Sequence, residues 1–225
     1  MILDILFTAN SGVVFTIGDK TFMVDALHNT KSLEFSALSD EMADIIFDEY
    51  KEVGCICCTH MHPDHYSEEL FDKARIKYPN AVIFIPGSEE IVYGDGFSLE
   101  SIALPHQMVP QSVHAEDVGN YGLVFNVEGK KIFVSGDASV ADDKTRQKVA
   151  ALNPDFAFVN FPWVALKEGR KTLEFLNPKK AAFIHLPYED EDTFGFFAST
   201  KKYADKYFPD ALIFNRFFQK EEVEI

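Results

Sequence analysis

Long apolar runs are missing from this sequence. No stretch approaches the ~20 residues that a membrane-spanning helix needs. The segment Met1-Ile2-Leu3-Asp4-Ile5 has neither the basic region nor the cleavage site of a secretory leader. Cysteine is scarce: Cys55, Cys57 and Cys58 are the three present. An odd, local set of this kind makes no disulfide framework, and with no second pair it makes a poor zinc ribbon. We read them as core thiols of a reducing compartment. Basic residues are outnumbered, with 21 Lys and Arg against 36 Asp and Glu, for a formal charge of -15. Such a surface repels a phosphate backbone, which argues against an enzyme that grips nucleic acid through many cationic contacts. No linker rich in Gly, Ser or Pro interrupts the chain. The expectation is a single cytoplasmic domain over residues 1–225, acting on a small molecule, with no nucleic-acid or membrane partner.

What is present is material for a core. Hydrophobic residues make up 47% of the chain and Phe alone occurs 22 times, so the chain folds. The start reads as a β-meander: Ile2 to Phe7, Val13 to Ile17 and Thr21 to Val24, joined at Asn10-Ser11-Gly12 and Gly18-Asp19-Lys20. Asp25 closes it. Ser39 caps a helix over roughly Asp40 to Tyr50. Gly54 to Thr59 lacks polar alternation and reads as a fully buried strand. After His60 to His65, Ser67 caps a second helix to about Tyr78, and Ala81 to Ile85 is a strand.

From Phe97 the order begins again. Phe97 to Leu104 is a strand, and Tyr121 to Val127 with Lys131 to Val134 forms a hairpin. A helix over Asp142 to Leu152, a strand over Phe156 to Asn160, and a helix over Leu166 to Leu176 follow. The chain finishes with a strand over Ala181 to Ile184, a helix over Thr193 to Tyr207 and a strand over Ala211 to Phe214. Two pseudo-similar halves, about 1–95 and 96–225, suggest two packed sheets with helices outside.

The chemistry is concentrated in His60-Met61-His62-Pro63-Asp64-His65. Four potential metal ligands fall within six residues of a chain that holds seven histidines, which is hard to attribute to chance. His60 and His62 are two apart, so at the end of an extended strand they point the same way. Asp64 and His65 lie just beyond, where a helix begins, and can face a second ion. Imidazole nitrogen and carboxylate oxygen are donors that zinc favours. Asp137 follows Gly136 at a strand end, where the glycine permits a tight turn. A plain helix cap is the bland alternative for Asp137, and a satisfied core histidine that for His185 at its own strand end.

This pattern resembles the metallo-β-lactamase-fold hydrolases, whose signature H-x-H-x-D-H after a buried strand stands here as His60 to His65. Asp25, a later histidine, Gly136-Asp137 and His185 occur in the matching order, so the resemblance spans nearly the whole chain. It implies an α/β (α+β) four-layered αββα sandwich with two divalent metal ions at one edge. Zinc is favoured, with manganese and iron as alternatives. The resemblance gives the first ion His60, His62 and a third histidine. His114 fits that place better than His106, because it lies a short loop before the hairpin. The second ion takes Asp64, His65 and His185, and Asp137 bridges both. Asp25 is expected to support a ligating histidine rather than to bind metal, and His28 to lie outside the ligand set.

The implied reaction is hydrolysis of a small ester, lactone or phosphodiester by a metal-bound hydroxide, with Asp64 orienting the nucleophile. Chain size and the stretch from Tyr121 to Ser139 are similar to the lactonase-like branch. Tyr188 is expected to pack at the surface rather than to donate a proton, and Trp163 with most phenylalanines near it to pack in the core. Two other functions share the fold: a non-catalytic metal- or ligand-binding domain, and a di-iron redox protein. Redox members typically carry Glu where this chain has His62.

Overall fold

The computed structural model describes residues 1–31, 35–87, 90–107 and 119–225. The first sheet begins with the expected meander, β1 (Ile2–Phe7), β2 (Val13–Ile17) and β3 (Lys20–Val24). Helix α1 (Asp40–Glu49) then crosses to β4 (Cys55–Cys57), and α2 (Glu68–Lys77) to β5 (Val82–Phe84). Ser39 accepts from the Met42 N–H and Ser67 from the Leu70 N–H, so both helices start at hydroxyl caps. The buried cysteines lie in and just after β4.

The second sheet holds β6 (Ile91–Gly94), β7 (Phe97–Leu104), β8 (Asn120–Val127), β9 (Lys130–Val134), β10 (Phe156–Asn160), β11 (Lys180–Ile184) and β12 (Leu212–Ile213). Its helices are α3 (Asp143–Val149), α4 (Pro162–Ala165), α5 (Lys167–Leu176) and α6 (Phe196–Tyr207). The last strand, β13 (Lys220–Glu224), leaves this half and pairs antiparallel with β1. Strand order is β13-β1-β2-β3-β4-β5 in one sheet and β12-β11-β10-β9-β8-β7-β6 in the other.

The two sheets face each other across a layer of phenylalanines. Phe15 of one sheet meets Phe125 of the other edge-on at 5.2 Å and stacks with Phe158 at 5.7 Å. Phe22 meets Phe97 at 5.0 Å. Each fully buried ring contributes roughly 2–3 kcal/mol, so this layer is the main adhesive between sheets. A separate apolar cluster lies on the other face of the second sheet, where Phe133, Val159 and Phe183 pack under Trp163, Leu173 and Ala204 of its helices. The layers are thus helix, sheet, sheet, helix. Among the described residues no helix is long and apolar enough to cross a membrane.

Three details depart from the sequence reading. The helix expected from Leu166 is preceded by a separate turn, α4, with Pro162 at its start and an extended Leu166 after it. The last helix begins at Phe196, because Asp192 accepts from the N–H groups of Phe196 and Phe197. β6 and β13 were not expected. β13, Lys-Glu-Glu-Val-Glu, reads as a polar tail, yet its charges suit a sheet edge facing water.

Within one sheet β1, β3 and β4 run the same way, and within the other β7, β9 and β11 do. Backbone bonds from His185 to Asn10 and from Tyr121 to Thr59 bring those two sets of strand ends to one rim. The segments that follow carry Asn10, Asp25, His60, His106, Asp137 and His185. The carboxyl ends of parallel-running strands are where open α/β sheets collect ligand-binding loops.

Candidate metal centre

Seven side chains from the two sheets converge on that rim in overlapping sets. His60, His62 and His106 each bring a ligand atom within 4.8 Å of the others, as do His60, His65 and Asp137, and again Asp64, His65 and His185. His60 Nε2 lies 3.0 Å from His62 Nδ1 and 3.3 Å from His106 Nε2. His65 Nε2 lies 3.3 Å from His185 Nε2. Two donors about 2.0–2.1 Å from one tetrahedral ion stand roughly 3.3 Å apart, so the nitrogens have the spacing of ligands to a shared cation.

Asp137 divides its carboxylate between the two histidine groups. Oδ2 faces His106 Nε2 at 3.6 Å and His60 Nε2 at 3.9 Å. Oδ1 faces His185 Nε2 at 3.0 Å and His65 Nε2 at 3.6 Å. Oδ1 is buried and faces only the two imidazole nitrogens, a position from which it could ligate an ion shared with them.

The histidines are held from behind. Asp25 Oδ2 accepts from His65 Nδ1 at 2.9 Å, and the Gln107 carbonyl accepts from His106 Nδ1 at 2.9 Å. Both partners can only accept, so Nδ1 carries the proton and Nε2 turns inward. Thr59 Oγ1 donates to Asp25 Oδ2 at 2.8 Å and sits 3.1 Å from His60 Nδ1, which fixes that ring the same way. Asp25 also accepts from the Thr59 N–H at 2.7 Å, so its carboxylate is engaged by three hydrogen bonds that brace the ligating histidines from behind.

Asn10 and Ser11 form a clamp that sequence reading treated as a plain turn. Asn10 Nδ2 donates to the Asp64 carbonyl at 3.1 Å and to Asp64 Oδ2 at 3.2 Å, while its own carbonyl accepts from the His185 N–H at 2.8 Å. Ser11 Oγ lies 3.1 Å from His65 Nδ1. Asn10, Asp25 and His185 all take positive φ, at 53°, 49° and 63°. Three non-glycine residues in that region cost roughly 1–3 kcal/mol each and cluster where function fixes the backbone. No sequence signal marks the clamp beyond the turn propensity of Asn-Ser-Gly.

Gly136 is required by space as well as by its φ of 51°. A Cβ there would stand 2.4 Å from Asn120 Oδ1 and 2.7 Å from Thr59 Cβ. The same Asn120 oxygen accepts from the Asp137 N–H at 2.8 Å and so aims the carboxylate.

The field at this rim calls for positive charge. Burial opposes ionisation of His65, but Asp137, Asp25 and Asp64 outweigh it and hold a proton on the ring well above the usual range. Burial raises Asp137 and Asp64, yet His65 and His185 overcome it and keep both carboxyls ionised below their ordinary range. Burial, with the charge of His65 next, pushes His60 well below its ordinary value, so it is a neutral donor. Ionised carboxylates beside a neutral His60 and a protonated His65 leave a cation-seeking rim, in which a divalent ion of the zinc type would displace the His65 proton and take its place.

Of the residues singled out from sequence, His60, His62, Asp64, His65, Asp137 and His185 meet here. His106 meets His60 and His62, whereas His114 lies outside the described residues. His28 is buried behind the site, with Nε2 donating to the Ala9 carbonyl at 3.1 Å. Tyr188 is buried rather than at the surface, and its hydroxyl donates to the Thr8 carbonyl at 2.7 Å. Trp163 is fully buried in the outer cluster.

No family model and no curated protein matches the chain. Solved structures do. The chain is similar to the isothiocyanate hydrolase from Delia radicum gut bacteria, at 15% identity and TM-score 0.64, over 100% of this chain and 99% of that one. It is similar to the metallo-β-lactamase fold protein YhfI from Bacillus subtilis, at 12% identity and TM-score 0.60, over 99% of each chain. It is also similar to CmlA, a diiron β-hydroxylase from Streptomyces venezuelae, at 11% identity and TM-score 0.65, over 99% of this chain and 54% of that one. With its two facing sheets, outer helices and a rim of candidate metal donors, the chain has the metallo-β-lactamase fold.

Proposed function

We propose that the protein is a dinuclear metal-dependent hydrolase of small esters, thioesters or lactones. One observation carries the reading: Asp137 offers one oxygen to the His60 and His106 side and the other to the His65 and His185 side. That is the arrangement of a carboxylate shared between two cations. In this reading His60, His62 and His106 hold one ion, and Asp64, His65 and His185 hold the other, with zinc the favoured metal.

Two such ions, when bound, supply Lewis acidity and bring the ionisation of water toward neutral pH. The chain's own groups do the positioning. Asp64, kept ionised and gripped by Asn10 Nδ2, accepts a hydrogen bond from the attacking water and orients its lone pair. Water oxygen then bonds to the acyl carbon, the C–O or C–S bond breaks, and the water proton ends on the leaving alcohol or thiol. Tyr188 is not the donor of that proton, since its hydroxyl is committed to Thr8. The similarity to an isothiocyanate hydrolase supports adding that neutral electrophile to the substrates tried.

The test joins elemental analysis of the purified protein to a hydrolysis panel of esters, thioesters, lactones, isothiocyanates and phosphodiesters. We expect close to two divalent ions per chain and turnover of a neutral acyl substrate. Asp137→Ala is expected to lose at least one ion, and full metal content in that variant would refute the shared carboxylate. His106→Ala is expected to lose more metal than His114→Ala, and the reverse would return the third position to His114. Similarity to a diiron hydroxylase supports a redox protein as second reading. Iron as the metal, with no hydrolysis of any substrate, would favour it.

A further inference from the structure

His185 does not face the solvent bare. The Phe35 ring meets it edge-on at 4.2 Å, and Phe161 lies roughly parallel to it at 6.5 Å. Phe196 stacks on Phe161 at 4.7 Å and on Phe35 at 6.2 Å. Phe194 continues the row, stacked on Phe196 at 5.4 Å. Phe35, Phe161 and Phe196 are only half-buried, and Phe194 is 58% exposed. Rings that served the core alone would be enclosed like Phe15 or Phe158. A half-open row of four rings leading to a candidate metal ligand is a wall.

The charge beside this wall is negative. The segment between His185 and Phe196 carries Glu189, Asp190, Glu191 and Asp192. Lys31, the cation that reaches it, is paired with Glu191. The charged groups acting most strongly on Asp64 and Asp137 are histidines and carboxylates, with no Lys or Arg among them. An anionic group on the part of a substrate lying along this wall would meet like charge from the carboxylates of the 189–192 segment.

We propose that the substrate carries an uncharged, flat apolar arm about the size of a phenyl ring, seated on Phe35, Phe161 and Phe196. Its hydrolysable group then lies past His185 toward Asp64 and Asp137. The inference rests on the hydrolase reading for the second half of that statement, and on the wall alone for the first. Offset or edge-on ring contacts suit an aryl group better than a branched polar one.

The test is binding to the metal-loaded protein, followed by calorimetry, of two hydroxamates that share a chelating head. Phenylacetohydroxamate is expected to bind about tenfold or more tightly than acetohydroxamate, equivalent to about 1.4 kcal/mol. Phe196→Ala is expected to bring that ratio close to one. Phe194→Ser, an exposed position that threatens folding least, is expected to lower the advantage of a longer naphthylacetohydroxamate. Equal affinities in the wild type, no binding of either, or a ratio untouched by both substitutions would overturn the proposal. The expected ratio in a protein that hydrolyses nothing in the panel would uphold the wall and count against the hydrolase reading alone.

Discussion

Asn10 illustrates how a side chain outside any motif governs those inside one. It grips Asp64 by its amide and His185 by its carbonyl. Truncation leaves Asp64 free to rotate, while the backbone contact persists. Groups that orient metal ligands commonly contribute 10–100-fold to affinity, and we expect Asn10→Ala to weaken metal binding at the candidate site by that order. Competition with a chromophoric chelator measures it, and an unchanged affinity would remove Asn10 from this role. His28 gives a second residue-scale prediction. Burial draws its ring down to about 4, whereas the unfolded chain binds that proton near 6.5. Between these values the unfolded state holds more protons, so the contribution to stability is complete above about pH 6.5 and declines as pH falls toward 4, by about 3 kcal/mol. Urea unfolding at several pH values should show a shallower acid slope in His28→Gln than in the parent. Matching slopes would exclude His28 as the cause. At this scale the sequence disclosed the dense histidine motif because His60 to His65 are neighbours. It concealed Asn10 because its partner Asp64 is 54 positions away. It left His106 and His114 ambiguous because loop length, unlike strand period, follows no rule.

Helices and strands were legible wherever local chemistry agrees with packing. Ser39 and Ser67 cap where expected, and the period-free run from Gly54 to Thr59 holds a buried strand, at Cys55–Cys57. Disagreement arises where tertiary contacts decide. Lys220 to Glu224 has the composition of a solvated tail, and only the free edge of β1 makes it a strand. Gly169 is a sharper case. Inside a helix, Ala is usually better than Gly by about 1 kcal/mol. In α5 an added methyl would stand 2.2 Å from the Pro162 carbonyl and 2.6 Å from Trp163 Cα. We therefore expect Gly169→Ala to destabilise by about 2 kcal/mol, lowering Tm by about 4–8 °C in a thermal melt. A rise in Tm would show that α4 can shift aside without cost.

Among the described residues the halves exchange backbone bonds at several places, including Tyr121 N–H to the Thr59 carbonyl at 3.1 Å. β13 brings the end of the chain to β1, and the His185 N–H reaches the Asn10 carbonyl across the rim. Deleting residues 219–225 should bare the β1 edge. We expect a lower Tm and concentration-dependent association, read by light scattering. A monomer of unchanged Tm would mean β13 is dispensable. The four-layer arrangement was readable from the order of elements. The traffic of strands between layers was not, because pairing at an edge depends on which edges remain open once the rest has folded. The candidate ligands are scattered from His60 to His185, and their props begin at Asn10. A ribosome therefore releases the dense histidine cluster long before its counterparts exist. Any cation captured early would be held by a partial set and exchange freely. The full set of candidate donors is assembled only once the strand before His185 has left the exit tunnel and docked against the first sheet's rim.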